Sequence, residues 1–383
     1  MDRWKILHTE ASEGWGGQEI RVLLEMEGLM KRGHHLFLAA TPRSQILKEA
    51  KGRGISVTSV PMNRLRWPAS CLALYQLIQR ERIDIIHTHS SADSWIASAA
   101  ASFPGKRSLL VRSRHIATPI SDKWTSRLLY NRLPDGIITT SEAIKTDMVR
   151  KNRFDPKKII SIPTGIDLSR FDPERHGSGL REAWDVPPST TVIGTVGVLR
   201  SWKGHSFFIQ AAEQVLQKRS NVLFFIVGEG PGRPYLEKEI KERQLTDKVR
   251  LTGHCAEVEQ AFAALDLFVL ASTGNEGVPQ AVLQALAMKK PVISTQIGGI
   301  TEVVKMGETG RLVPPKNPAA LAEQIVLHLD QPDLGKTMAE AGRRLVEKNY
   351  HLQGMLDRVE DFYNQLFRKR EVERRKFLLE GLF

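Results

Sequence analysis

Residues 191–218, TVIGTVGVLRSWKGHSFFIQAAEQVLQK, set the architecture. They open on a short β-branched run (191–199), turn through a glycine-bearing basic segment, GVLRSWKG (197–204), and continue with helical periodicity over 205–218. Apolar run, glycine turn and amphipathic helix make one half of a βαβ unit. The succession recurs downstream in VLFFIVGEG (222–230), VRLTG (249–253), LFVLAS (267–272), PVISTQ (291–296) and RLVP (311–314), with helical stretches at 280–288 and 319–329. Upstream it recurs in KILHTE (5–10), HLFLAAT (35–41), ISVTSVP (55–61), DIIHTHS (84–90), LLVRSRH (109–115), GIITTS (136–141) and IISIPTGID (159–167), with helical spacing at 20–31 and 71–82. Strand and helix in alternation imply α/β layering, a parallel sheet with helices on both faces. Residues 171–190, FDPERHGSGLREAWDVPPST, are rich in Pro, Gly and polar residues and read as a linker. The expectation is two Rossmann-like, doubly wound domains, 1–170 and 171–350. A helix within 351–383 follows, and a cleft is expected between the carboxyl ends of the two sheets.

Composition narrows the function classes. Of 383 residues 41% are hydrophobic and 26% charged, enough to bury sizeable cores without disulfides or metals. The apolar runs fall short of the ~20 residues a spanning helix needs. The N-terminus, MDRWKILHTE, lacks the apolar core of a secretory signal, so a cytoplasmic location is expected. Cys71 and Cys255 form no C-x-x-C pair or Cys/His cluster, which excludes a zinc finger and a disulfide scaffold. The net charge of +12 is uneven: residues 1–170 carry 27 basic and 16 acidic side chains, residues 171–367 carry 22 and 24, and the tail 6 and 3. A basic first half attracts an anionic partner: nucleic acid, a phospholipid surface or a phosphorylated substrate.

Four segments carry chemistry. Residues 13–19, EGWGGQE, follow the first strand and open the first helix, where Gly16 and Gly17 let backbone approach a ligand and the helix start offers N–H donors. Arg200 and Lys203 stand at the end of a strand, where two cations can clamp a diphosphate; the bland reading is a solvated basic turn. A further glycine turn, Gly228 to Gly232, follows the next strand. In Glu276-Gly277-Val278-Pro279-Gln280 a carboxylate precedes a helix, Gly277 and Val278 offer N–H groups at its start, and Gln284 lies two turns on. That layout suits a sugar nucleotide: Glu276 on sugar hydroxyls, the N–H groups on phosphate, Gln284 on ribose.

The order of GWGGQE, GVLRSWKG, GEGPG, LTG and EGVPQAVLQALAMKKPVISTQIGGITEVV resembles the retaining glycosyltransferases of family 4, which have the GT-B fold. The resemblance runs from Lys5 to about Lys348, and it implies that the helix within 351–383 packs back on the N-terminal domain. It implies transfer from a nucleoside diphosphate sugar to a carbohydrate or glycolipid acceptor, with retained configuration and with neither cofactor nor metal. It places Gly16 and Gly17 by the donor diphosphate, Arg200 and Lys203 on that diphosphate, and Glu276 on the transferred sugar. Gly228, Gly253, Gly277 and Val278 fall on the donor side. The family's second motif glutamate is replaced by Gln284, whose amide oxygen can still accept one ribose hydrogen bond. A histidine near the donor sugar falls on His115.

The remaining candidates are weighed on the residues. His115 ends a strand beside Arg112 and Arg114, which suits a cleft role over a packed histidine. His87 and His89 alternate onto one strand face, yet no third ligand at metal spacing is visible, so an acceptor-side role is expected for His89. Trp15, Arg112 and Arg114 join it as acceptor-side candidates, against ordinary packing for the tryptophan. The charge run 368–376 reads first as a solvated helix face, and the apolar end after it, Phe377, Leu378, Leu379, Leu382 and Phe383, makes a membrane-surface anchor the alternative. The expected partners are thus the sugar nucleotide, a saccharide or glycolipid such as a lipopolysaccharide precursor, and an anionic membrane surface at the inner face of the cytoplasmic membrane. A sugar-nucleotide epimerase is the rival within enzymes. A basic nucleic-acid-binding protein is the rival outside them, but no RRM, KH or helix-turn-helix signature occurs, so no nucleic acid is expected.

Overall fold

The computed structural model describes residues 3–104, 108–274 and 276–380, and only the backbone at 64, 374 and 376–380. The chain divides into two units: residues up to Pro163 together with those from Gln353 on, and Thr164–Leu352.

The first unit is built on a parallel sheet of β1 (Lys5–Glu10), β2 (His35–Ala40), β3 (Ser56–Ser59), β4 (Ile85–Thr88), β5 (Leu109–Arg114), β6 (Gly136–Thr139) and β7 (Ile159–Ser161). Its order is β3-β2-β1-β4-β5-β6-β7. Strands covered on both faces must be apolar throughout, and Ile6, Leu7, Ile85, Ile86, Ile137 and Ile138 are fully buried. The order reverses between β1 and β4, and the register there sets His8 against His87.

The second unit repeats the plan with β8 (Thr191–Val196), β9 (Val222–Val227), β10 (Val249–Gly253), β11 (Leu267–Leu270), β12 (Val292–Thr295) and β13 (Arg311–Val313). Its order is β10-β9-β8-β11-β12-β13, reversing between β8 and β11. In open α/β sheets such a reversal is where two loops diverge and leave room for a ligand.

Two expectations need correction. Residues 171–190 are not a linker, and the boundary falls at 163/164 rather than 170/171. Phe171 is buried, Leu180 and Val186 pack on the core of the second unit, and Trp184 stacks 4.6 Å from Phe225. Apolar side chains scattered among the Pro and Gly residues are enough to tie that segment down.

The helix Leu352–Glu380 belongs with the first unit, the placement that the family resemblance implies for the tail. Glycines let it close on the sheet and first helix: a Cβ on Gly28 would lie 2.3 Å from Leu356, and one on Gly136 2.5 Å from Phe362. Arg32 pairs with Asp357 at 2.8 Å, and Glu360 lies 2.8 Å from His34 Nε2. The side chains of Phe377, Leu378 and Leu379, and all of Leu382 and Phe383, lie outside the described residues.

Candidate functional site

In the second unit the chain leaves β8 into Arg200 and a short 3-10 turn, Ser201–Lys203, closed by Gly204 at φ 72°. A Cβ on Gly204 would sit 1.8 Å from the Ala271 carbonyl oxygen, so only glycine lets this turn press onto the chain leaving β11. That contact brings Lys203 to Glu276: Nζ donates to Oε1 at 2.7 Å, and the Ser272 hydroxyl donates to the same oxygen at 2.7 Å. Glu276 is buried, while Arg200 is exposed with its guanidinium 5.2 Å from the Trp202 ring. The Gly299 N–H donates to the Glu276 carbonyl at 3.2 Å, holding the Glu276 backbone.

Two donor-side expectations change in detail. The helix begins at Gln280 with Pro279 as its cap, so Gly277 and Val278 lie in the preceding loop instead of the first turn. Gln284 is half-buried on that helix. Gly228 donates its N–H to the Gly253 carbonyl at 2.9 Å, and a Cβ on Gly228 would meet the Gly197 oxygen at 2.0 Å. Gly228 and Gly253 therefore knit the strand ends together, and the Gly228 N–H is already committed.

In the first unit the corresponding edge lies at the carboxyl ends of β1, β4 and β5. Glu10 fastens the glycine loop, accepting from the Ser12 N–H at 2.8 Å and from Gln18 Nε2 at 2.6 Å. Gly16 then caps the helix Gly17–Lys31, and Trp15 is half-buried in the loop. Asp93 binds the end of β1 and the loop after β4, accepting from the Thr9 hydroxyl at 2.9 Å and the His89 N–H at 2.8 Å.

His115, His89 and His8 form a chain: His89 Nδ1 lies 3.1 Å from His115 Nε2, and His89 Nε2 lies 2.9 Å from His8 Nδ1. His87, in register with His8, is held separately, with Nε2 2.8 Å from Ser113 Oγ and Nδ1 2.7 Å from the Tyr363 hydroxyl. Its Nδ1 is also 3.2 Å from Glu25, which in turn is 3.7 Å from Arg21. Arg112 is buried, donates to the Tyr130 hydroxyl at 3.0 Å and to Ser91 at 3.2 Å, and lies over the Tyr130 ring. Arg114 reaches the same hydroxyl at 3.3 Å and lines a cavity of about 250 Å³ with Ser91, Trp95 and Tyr130.

Sequence reasoning missed Glu10, His8, Glu25, Arg21 and Tyr363. Only the strand register and the returning helix bring them in, although the His8–His87 match is open to anyone who pairs β1 with β4.

Burial sets the direction of titration for Glu10 and His8, but not for Glu25. It pushes Glu10 up to about 8, with the Asp93 charge adding to the effect. It pushes His8 down to about 3, with His87 adding. Burial alone would raise Glu25, but His87 and Arg21 outweigh it and hold the carboxyl at about 2.

A raised carboxyl keeps its proton in the folded state, so Glu10's contribution is complete below about 4.5 and is lost as pH rises through about 8. The depressed histidines act oppositely. His8, His205 and His328 (the latter two at about 4) favour the fold above about 6.5, and that contribution is lost on acidification. The melting temperature should therefore fall on both sides of pH 6–7. Glu10→Gln, which mimics the protonated carboxyl, should flatten the alkaline limb in a thermal melt from pH 6 to 8.5. An unchanged limb would contradict this assignment.

His8, His87 and His89 place ligand atoms within 4.8 Å of one another, as a metal site would. Yet both nitrogens of His89, both of His87 and Nδ1 of His8 already face protein partners. A metal would have to displace these bonds, and the residues do not fit one.

The family description Glycosyltransferase Family 4 matches residues 15–170, and Glycosyl transferases group 1 matches residues 179–345. Alpha-D-kanosaminyltransferase of Streptomyces kanamyceticus is 26% identical over 66% of this chain, and the match spans 65% of its own length. The Escherichia coli UDP-Gal:alpha-D-GlcNAc-diphosphoundecaprenol alpha-1,3-galactosyltransferase is 26% identical over 77% of this chain and 78% of its own. Among solved structures, Anabaena Alr3699/HepE in complex with UDP and glucose superposes with a TM-score of 0.84 at 21% identity, covering 94% of this chain and all of that one. The two Rossmann-like units are those of GT-B glycosyltransferases.

Proposed function

The chain belongs to glycosyltransferase family 4, and from that premise we propose that it moves a sugar from a nucleoside diphosphate sugar to a saccharide or glycolipid acceptor, with retained anomeric configuration. The observation that carries this reading is the Lys203–Glu276 pair at the strand-order reversal of the second unit, with Arg200 beside it. Two cations there can bind a diphosphate and stabilise it as it leaves, while the carboxylate takes sugar hydroxyls. Arg200 and Lys203 offset the leaving group's charge, so the reading needs no metal. His115 is assigned to the transferred sugar, Gly16 and Gly17 to the diphosphate, and Gln284 to the ribose. Arg112, Arg114 and Trp15 are assigned to the acceptor side; His89, expected there too, is buried with both ring nitrogens on His8 and His115 and has none left for an acceptor. The UDP in the Anabaena complex supports a uridine donor.

The test is to incubate UDP- and GDP-sugars with and without saccharide or lipid-linked acceptors. Free nucleoside diphosphate should accumulate only when acceptor is present; an epimerised donor without acceptor would overturn the reading.

The acceptor is proposed to be a lipid-linked precursor of envelope polysaccharide at the inner face of the cytoplasmic membrane, the kind of acceptor named for the E. coli relative. No described helix is long and apolar enough to cross a membrane. Support for surface docking is the basic first half and an exposed cluster beside Arg66: Leu65 is 96%, Trp67 40% and Leu72 55% exposed. Each basic residue near an anionic bilayer contributes about 1 kcal/mol. Co-sedimentation should occur with anionic liposomes and weaken as salt rises; equal binding to neutral vesicles, or none at low salt, would remove the membrane part.

A further inference from the structure

The first unit holds a chain of three histidines, of which the proposed reaction assigns His115 to the sugar and leaves His8 and His89 without a contact to it. His8, His89 and His115 come from the three neighbouring strands β1, β4 and β5, or the residue just after them, and their rings meet end to end. Each of the two contacts joins one nitrogen to one nitrogen, so in each a single proton is shared: one ring donates and the next accepts. Burial keeps all three rings uncharged, His8 held down to about 3 and His89 and His115 well below the ordinary histidine value. An uncharged imidazole carries one N–H. The chain therefore has only two consistent polarities, and all three rings switch together.

In one polarity His8 Nδ1–H donates to His89 Nε2, His89 Nδ1–H donates to His115 Nε2, and His115 carries its proton on Nδ1. In the other every bond reverses: His115 Nε2–H donates inward, its Nδ1 becomes an acceptor, and the last proton sits on His8 Nε2. The buried end decides between them. His8 is wholly buried, and its Nε2 has no hydrogen-bond partner among the described residues. A buried N–H without an acceptor is among the rarest features of folded proteins, whereas an under-used lone pair is better tolerated. The second polarity would strand an N–H there; the first leaves only a lone pair.

We propose that His89 and His8 are positioning residues that fix the tautomer of His115, so that His115 presents Nδ1–H as a donor to an oxygen lone pair of the sugar. This rests on the assignment of His115 to the transferred sugar. The ligand chemistry it selects is a sugar bearing a hydroxyl or ring oxygen at that place, and a deoxy analogue lacking that oxygen would leave the donor unpaired. His87 lies outside the chain, its Nδ1 facing Tyr363 and Glu25, with Ser113 at Nε2.

The experiment reads tautomers directly, by two-bond 1H–15N correlation of histidine-labelled full-length protein, with signals assigned through single histidine variants. In the wild type, His8, His89 and His115 should each show a protonated Nδ1 and a bare Nε2. His8→Leu removes the donor at the buried end, and the His115 pattern should move toward a mixture of tautomers. His8→Asn, whose amide can replace the Nδ1–H, should restore it; a merely structural role for His8 would not produce that pair of results. A protonated Nε2 on His115 in the wild type would overturn the proposal, as would a His115 tautomer indifferent to His8→Leu. Should His8→Leu fail to fold, the wild-type pattern alone still decides the polarity. If the tautomers are as expected but no UDP- or GDP-sugar binds, the proposed function fails and the histidine chain stands.

Discussion

Replacing Glu276 by alanine is expected to lower kcat by about 10²–10³, the usual cost of removing one preorganised group at the reacting centre. The affinity for UDP should stay level or rise. Glu276 holds the Lys203 ammonium at 2.7 Å in the free protein, so a diphosphate must compete with that carboxylate for the same cation. Lys203→Ala should behave in the opposite way. It removes a charge-assisted contact of about 1.5–3 kcal/mol, weakening UDP roughly 10- to 150-fold. It also leaves the buried Glu276 carboxylate with Ser272 as its side-chain donor. The single variant Lys203→Ala should therefore be less stable than Lys203→Ala/Glu276→Ala, a coupling that a double-mutant cycle measures. Calorimetric titration with UDP and GDP, beside steady-state rates, separates the two effects. Equal UDP binding by Lys203→Ala and the wild type would sink the assignment.

Glu25→Ala should be among the most destabilising single changes in the first unit, at about 3–5 kcal/mol. Arg21 and Glu25 are both about 1% exposed and 3.7 Å apart, and His87 lies 3.2 Å from the same carboxylate. Removing the carboxylate leaves a buried guanidinium without that counter-charge. Against a total of roughly 5–15 kcal/mol, this is a large fraction. The melting temperature should drop by on the order of 10 °C. Glu49→Ala is the control: its partner Arg53 is half-exposed, the pair is screened, and the loss should stay within about 1 kcal/mol. Comparable losses in the two variants would mean that the buried pair contributes no more than a surface one.

How far the sequence could be read follows from how local each feature is. Every strand expected from an apolar run formed, because a short buried apolar run bounded by polar or turn residues has few other uses. Arg200, Lys203 and Glu276 were legible for the same reason: each lies in a short motif immediately after its own strand. What composition concealed was packing. The Pro- and Gly-rich stretch 171–190 looked like a linker because its four apolar anchors, Phe171, Leu180, Trp184 and Val186, are outnumbered by polar neighbours.

The sequence by itself determined two doubly wound units, the ends of their strands and the identity of the cations and carboxylate there. Tertiary structure alone decided that Lys203 and Glu276 form a pair, that His8 completes a histidine chain, and that Tyr363 reaches His87 across 276 residues of sequence. The reason is physical. A strand or a turn is specified by neighbours a few residues away, whereas the proton, charge and partner of a buried side chain depend on which distant strand or helix is set beside it.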